Sequence, residues 1–147
     1  MSESKSAAAL LVGTWRLRSH RQQTVETGET FSPRGERPSG LLTYTADGRF
    51  SVLNVPGDRK LPASVKPTSE EALALFDGLT AYAGRYTIVG DKVVHHVEVS
   101  WNQLWTGTDQ VRGFAVAGDA LTIVAGPDPS PIDGKLSVST LSWDRVR

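Results

Sequence analysis

Residues 84–101 read GRYTIVGDKVVHHVEVSW. Two β-rich arms flank Gly90-Asp91, a dipeptide that supplies the positive φ a tight antiparallel turn demands. A two-residue turn sets Ile88 opposite Val93 and Tyr86 opposite His95. One face then carries Tyr86, Ile88, Val93, His95, Val97, Val99 and Trp101. The other carries Arg85, Thr87, Val94, His96, Glu98 and Ser100. Successive strand residues point opposite ways, so only one of the adjacent histidines can point into a core. The apolar face assigns that place to His95.

The same pattern continues on both sides. GLLTYTADGRFSVLNV (40–55) turns at Asp47-Gly48, and VRGFAVAGDALTIVA (111–125) turns at Gly118-Asp119. LSVSTLSWDRV (136–146) reads as the last strand. TWRLRSHRQ (14–22) alternates as the first, with Trp15, Leu17 and Ser19 on one face and Arg16, Arg18 and His20 on the other. Around Asp47-Gly48 either Leu42, Tyr44, Leu53 and Val55 or Thr43, Phe50, Val52 and Asn54 face inward. Two segments break the β pattern. KSAAALLV (5–12) reads as a short helix. PTSEEALALFDG (67–78) has Thr68 and Glu71 at capping-box spacing and Gly78 as its stop, with Leu73, Leu75, Phe76 and Leu79 suited to packing on a wall or over a mouth. ETGETFSPRGERPS (26–39) reads as a mobile rim loop, and GPDPSPIDG (126–134) as a stiff surface loop.

The expected fold is all-β: an up-and-down antiparallel barrel of about eight strands, with a short N-terminal helix and one mid-chain helix, forming one domain over residues 1–147. Eight strands is the size at which a closed barrel holds one small ligand, and closure removes exposed edges.

Composition narrows the partners. Sixteen basic and sixteen acidic side chains cancel, so no net field draws the chain to nucleic acid or to an anionic membrane. There is no cysteine, which removes disulfides, thiolate metal sites and cysteine nucleophiles. The apolar run Ala7–Val12 is too short for a membrane span and short for an export signal, so the expected location is the cytoplasm. Adjacent strand histidines diverge and cannot chelate one ion, and His20 is the only other histidine, so no metal site is expected. No G-x-S-x-G elbow or phosphate-binding glycine loop is present, and no cofactor is expected.

GTW at 13–15 resembles the G-x-W signature of lipocalins. LVGTWRL (11–17), GLLTYTADGRFS (40–51), EEALALFDGLTAYAGRYTI (70–88), VVHHVEVSWNQLWTGTDQVR (93–112) and GDALTI (118–123) together resemble the lipocalin-like domain family of bacteria and fungi. The resemblance implies a small β-barrel with an internal pocket. It implies that Trp15 closes one end and that Arg145 or Arg147, from the last strand, packs on its ring. Some fungal relatives look like components of secondary-metabolite pathways. The chain departs from secreted lipocalins in having no cysteine and in placing its main helix mid-chain.

Site residues follow from the faces. The turn at Gly118-Asp119 groups Gln110, Arg112, Phe114, Val116, Leu121 and Ile123. If that face lines the barrel, Arg112 and Gln110 reach inside. A buried arginine needs a partner: a ligand oxygen, or a carboxylate such as Glu98, which faces Arg112 if the strands slip by one residue. His95 beside Tyr86 is either an acid–base group or a satisfied core residue bonded to Tyr86. The catalytic candidates are His95, Tyr86 and Arg112. The ligand-lining candidates are Trp101, Gln110, Phe114, Val97, Tyr44 and Trp105. Two functions fit. One is a carrier or sensor of a small hydrophobic molecule, acting as monomer or homodimer. The other is a cofactor-free isomerase, cyclase, dehydratase or lyase in which His95 moves the proton.

Overall fold

The hairpin at Gly90-Asp91 forms in the expected register. In the computed structural model, which describes residues 3–147, Ile88 pairs with Val93 and Tyr86 with His95. The chain runs α1 (Glu3–Leu11), β1 (Gly13–Thr24), β2 (Thr30–Phe31), β3 (Ser39–Tyr44), β4 (Arg49–Val55), α2 (Ser69–Asp77), β5 (Thr80–Val89), β6 (Lys92–Ser100), a single 3-10 turn (Gln103–Trp105), β7 (Asp109–Ala117), β8 (Ala120–Pro129) and β9 (Leu136–Arg145). The long strands pair with their neighbours in sequence, and β9 returns to pair with β1. Eight antiparallel strands therefore close a barrel, and the two-residue β2 only edges the far end of β1.

One end of this barrel is packed solid. The Trp15 ring is fully buried, and its Nε1 donates to Leu11 O at 2.9 Å. The Arg145 guanidinium lies 4.2 Å from the Trp15 ring centre. It also donates to Val12 O and Leu10 O, both at 3.0 Å. One side chain thus stacks on the plug and caps carbonyls that the end of α1 leaves without helical partners. Arg145 fills the stacking role implied by the resemblance, while Arg147 pairs with Asp119 on the surface.

Three irregularities change which residues face inward. A bulge between Leu17 and Ser19 inserts one residue into β1. It reverses the parity of everything after it. His20, expected on the solvated face, is buried together with Gln22 and Thr24. A second bulge, at Ala83–Gly84, opposes Val97 and Val99. Val97 stays in the core and Val99 turns to solvent, against the expected face. At Asp47-Gly48 the loop is longer than two residues: Thr45 N–H bonds Arg49 O at 2.8 Å, and Tyr44 pairs with Phe50. The interior therefore takes Leu42 and Tyr44 from one expected set and Phe50, Val52 and Asn54 from the other, while Leu53 is exposed.

The helix α2 has its capping box, with reciprocal Thr68–Glu71 bonds, and Gly78 as its C-cap. None of its residues is buried. Phe76 stands 6.4 Å from Trp101, and no α2 residue lines the barrel cavity. Nor is 126–134 simply a surface loop, since β8 runs through Pro129 and Ser130 is buried. Among the described residues no helix is long and apolar enough to cross a membrane.

Candidate ligand-binding cavity

His95 sits at the centre of an aromatic cluster and is only 2% exposed. Its ring stacks on Phe50, with centroids 4.1 Å apart. Tyr44 Oη lies 2.7 Å from its Nε2, and Tyr82 Oη lies 3.2 Å from its Nδ1. A neutral imidazole has one donor and one acceptor nitrogen, so these two hydroxyls saturate it. Burial holds the His95 pKa well below the usual histidine range, and the Arg112 charge adds to the effect. Burial also keeps the Tyr44 hydroxyl protonated. Tyr86 pairs with His95 along the ladder, but its hydroxyl donates to Thr45 O at 2.8 Å. The expected Tyr86–His95 bond is replaced because Tyr44 and Tyr82, from β3 and β5, reach the ring first.

A second buried polar group stands nearby. Arg34, from the β2–β3 connection, is 3% exposed. Its Nε donates to Gly78 O at 3.2 Å, its Nη1 to His20 Nδ1 at 2.8 Å, and its Nη2 to Thr80 Oγ1. Arginine only donates, so His20 Nδ1 must accept. The His20 proton therefore sits on Nε2 and is donated to Ser139 Oγ at 3.0 Å. Burial first, then the Arg34 charge, push the His20 pKa down to about 3. Burial also lowers Arg34, to about 10, so it is charged at neutral pH. A histidine that donates to its serine cannot take that serine's proton, so Ser139 is no activated nucleophile.

Both groups line one cavity of about 90 Å³ inside the barrel. Its apolar walls include Leu42, Val52, Ile123 and Leu141, with Trp105, Tyr82 and Trp143. Its polar walls include Arg34, His20, Gln22, Asn54, Arg112 and His95. Trp105, Arg112, Ala125, Ser130, Pro131 and Ser139 also line an outer vestibule of about 310 Å³. Arg112 is 7% exposed and lies 5.7 Å from the Trp105 ring centre. Among the described residues its only hydrogen bonds are to Val111 O at 3.2 Å and Gln110 Oε1 at 3.4 Å. Glu98 is elsewhere, paired outside the barrel with Arg49 at 2.7 Å and Arg85 at 3.4 Å. The slipped register that would set it against Arg112 does not occur, since Arg112 pairs with Val93. Among the described residues, no group of three or more His, Cys, Asp or Glu side chains could hold a metal ion.

The profile of the lipocalin-like domain family matches residues 12–146. The chain belongs to that family. A solved structure of a lipocalin-like protein from Bacteroides uniformis is similar at 14% identity and a TM-score of 0.48, covering 93% of this chain and 99% of that one. No curated protein matches the chain.

Within this lipocalin-like domain the sequence-derived candidates separate. His95, Arg112 and Trp105 line the cavity, and Gln110 lines the vestibule. Tyr44 stands behind His95 as its hydrogen-bond partner. Val97 packs in the core. Trp101 packs between Phe76 and Trp105, and Phe114 packs against the core from a half-buried position. Neither these three nor Tyr86 is among the lining residues. Arg34, His20, Gln22, Asn54, Ser139 and Trp143 were not signalled. Asn54 alone had a cue, as the polar member of a face otherwise holding Phe50 and Val52.

Proposed function

We propose that the barrel takes up a small, mostly apolar molecule and that the protein serves as its carrier or sensor inside the cell. The observation that carries this is the cavity itself, lined by aliphatic and aromatic walls with a few convergent polar groups, which is the usual make-up of a small-molecule site. Trp105 and Trp143 border it, so tryptophan emission reports occupancy. Titration with benzyl alcohol, cinnamyl alcohol, hexanol and the matching acids should give saturable emission changes for some members and not others. A barrel that gives no saturable response to any of them up to millimolar concentration is not a binding protein of this kind.

A second reading rests on the Tyr44–His95–Tyr82 chain. Tyr82 borders the cavity, so a proton could pass between a bound molecule and the imidazole through its hydroxyl, as a cofactor-free isomerase, cyclase, dehydratase or lyase would need. Arg112, with Gln110, would then hold developing negative charge on an oxygen. The strongly depressed His95 pKa makes the ring a poor proton store, which favours the binding reading. Turnover abolished by His95→Gln with binding retained would reverse that order.

A further inference from the structure

Resting on the binding reading above, we infer that the occupant is an organic anion: a carboxylate on an apolar body, its charge matched by Arg34 and Arg112. Two buried guanidiniums line one cavity. Among the described residues, neither has a carboxylate within ion-pair distance. The ion pairs that do form use Asp91, Glu98, Asp109, Asp119 and Asp144, all largely solvent-exposed. Among the described residues no aspartate or glutamate borders the inner cavity, and the vestibule has only Asp128.

Taking a charge out of water without a counter-charge is costly. Neutral partners offset that cost only in part. Arg34 gives three of its donors to Gly78 O, His20 and Thr80, which leaves two of the five N–H groups of a guanidinium. Arg112 has two long, neutral acceptors, one of them its own neighbour's carbonyl.

The rest of the wall is biased the same way. Trp143 Nε1 and Gln22 Nε2 are buried donors with no protein acceptor. Ser139, whose oxygen accepts from His20, keeps its own hydrogen for the cavity side. Among the described residues Asn54 Oδ1 is the single orphaned acceptor, against two orphaned donors. A neutral carbonyl could satisfy these donors but would leave both positive charges unmatched. A carboxylate satisfies donors and charge together, through charge-assisted hydrogen bonds, while the aliphatic walls take its body.

The test uses matched pairs at pH 7.5: benzoate against benzyl alcohol, cinnamate against cinnamyl alcohol, hexanoate against hexanol, followed by tryptophan emission and calorimetry. Within a pair that binds, the acid should bind at least about tenfold more tightly, the scale of one charge-assisted bond. Arg34→Met and Arg112→Met should each cut the acid's affinity by a similar factor, and by more than they change the alcohol's. Alcohols that bind as well as the acids, or acids whose affinity ignores both substitutions, overturn the anion assignment and leave the cavity reading standing. Absence of binding by every probe overturns both. The acid–alcohol comparison needs only the natural chain, so it decides the matter even if a variant fails to fold.

Discussion

Substituting His20 by glutamine should remove a large part of the fold's acid sensitivity. The folded imidazole titrates near pH 3, against an ordinary value of 6.5, chiefly because it is buried and secondly because Arg34 donates to it. The unfolded chain therefore takes up the proton first. The contribution is fully present above pH 6.5 and is lost as pH falls from there toward 3. Between pH 7.5 and 4.5 that single group should lower the unfolding free energy by about 2.6 kcal/mol. With a urea slope of about 1–3 kcal/mol per molar, the midpoint moves by about 1–3 M. Glutamine offers an acceptor for Arg34 and a donor for Ser139, but no proton to gain. Urea unfolding of the natural chain and of His20→Gln across this pH range should give curves that diverge by that amount. His95, also depressed, acts in the same direction in both proteins and drops out of the difference. Parallel curves would mean that the imidazole is hydrated in the folded state, and the Arg34–His20–Ser139 chain would have to be abandoned.

Two further substitutions probe the frame around the cavity. Gly84→Ala places a methyl 1.9 Å from His96 O, a backbone atom that cannot swing aside. Thermal unfolding should show a loss on the order of 3 kcal/mol, the upper end for overpacking. Arg145→Ala removes the stacking on Trp15 and two hydrogen bonds to α1 carbonyls. It should cost about 2 kcal/mol in chemical unfolding while leaving probe affinity at the opposite end of the barrel unchanged.

The strand count and two hairpin registers were legible because two-residue glycine–aspartate turns fix pairing and the side-chain period is two. Val89 pairs with Lys92 and Ala117 with Ala120 across those turns, which is why His95 could be assigned inward and Arg112 placed on the face of Leu121 and Ile123, whose sense was left open. The same reasoning fails where one residue is added. Nothing in TWRLRSHRQ marks the bulge before Ser19, so Arg16, Arg18 and His20 read as one charged face. Only Arg16 and Arg18 stay outside. Arg34 was illegible for a different reason. It lies in an aperiodic, turn-rich stretch, where no alternation says which way a side chain points. Its burial depends on Gly78, Thr80 and His20, residues 14 to 46 positions away.

These failures share a cause with the site. A strand in perfect register carries its apolar set along the whole barrel, and the interior then fills as it does around Trp15, Leu17 and Leu121. The bulge in β1 divides that strand into two halves of opposite sense. The first half delivers Trp15 and Leu17 to the packed end. The second delivers His20, Gln22 and Thr24 to the other. At that end the facing residues are also polar: Asn54 near the close of β4, Thr80 at the start of β5, Arg112 early in β7, and Ser137 and Ser139 early in β9. Arg34 inserts among them from the loop. One inserted residue thus turns a face that reads as solvated into the polar end of a half-filled barrel. Deleting Arg18 removes the extra residue, so Leu17 still meets Trp143, Ser19 still meets Ser142 and His20 still meets Leu141; His20 and Gln22 stay inward, and the acid preference should survive in the probe titrations. An acid preference lost in the shortened chain, with the Trp15 end still folded, would refute the claim that the residue count in β1 sets the facing of His20 and Gln22.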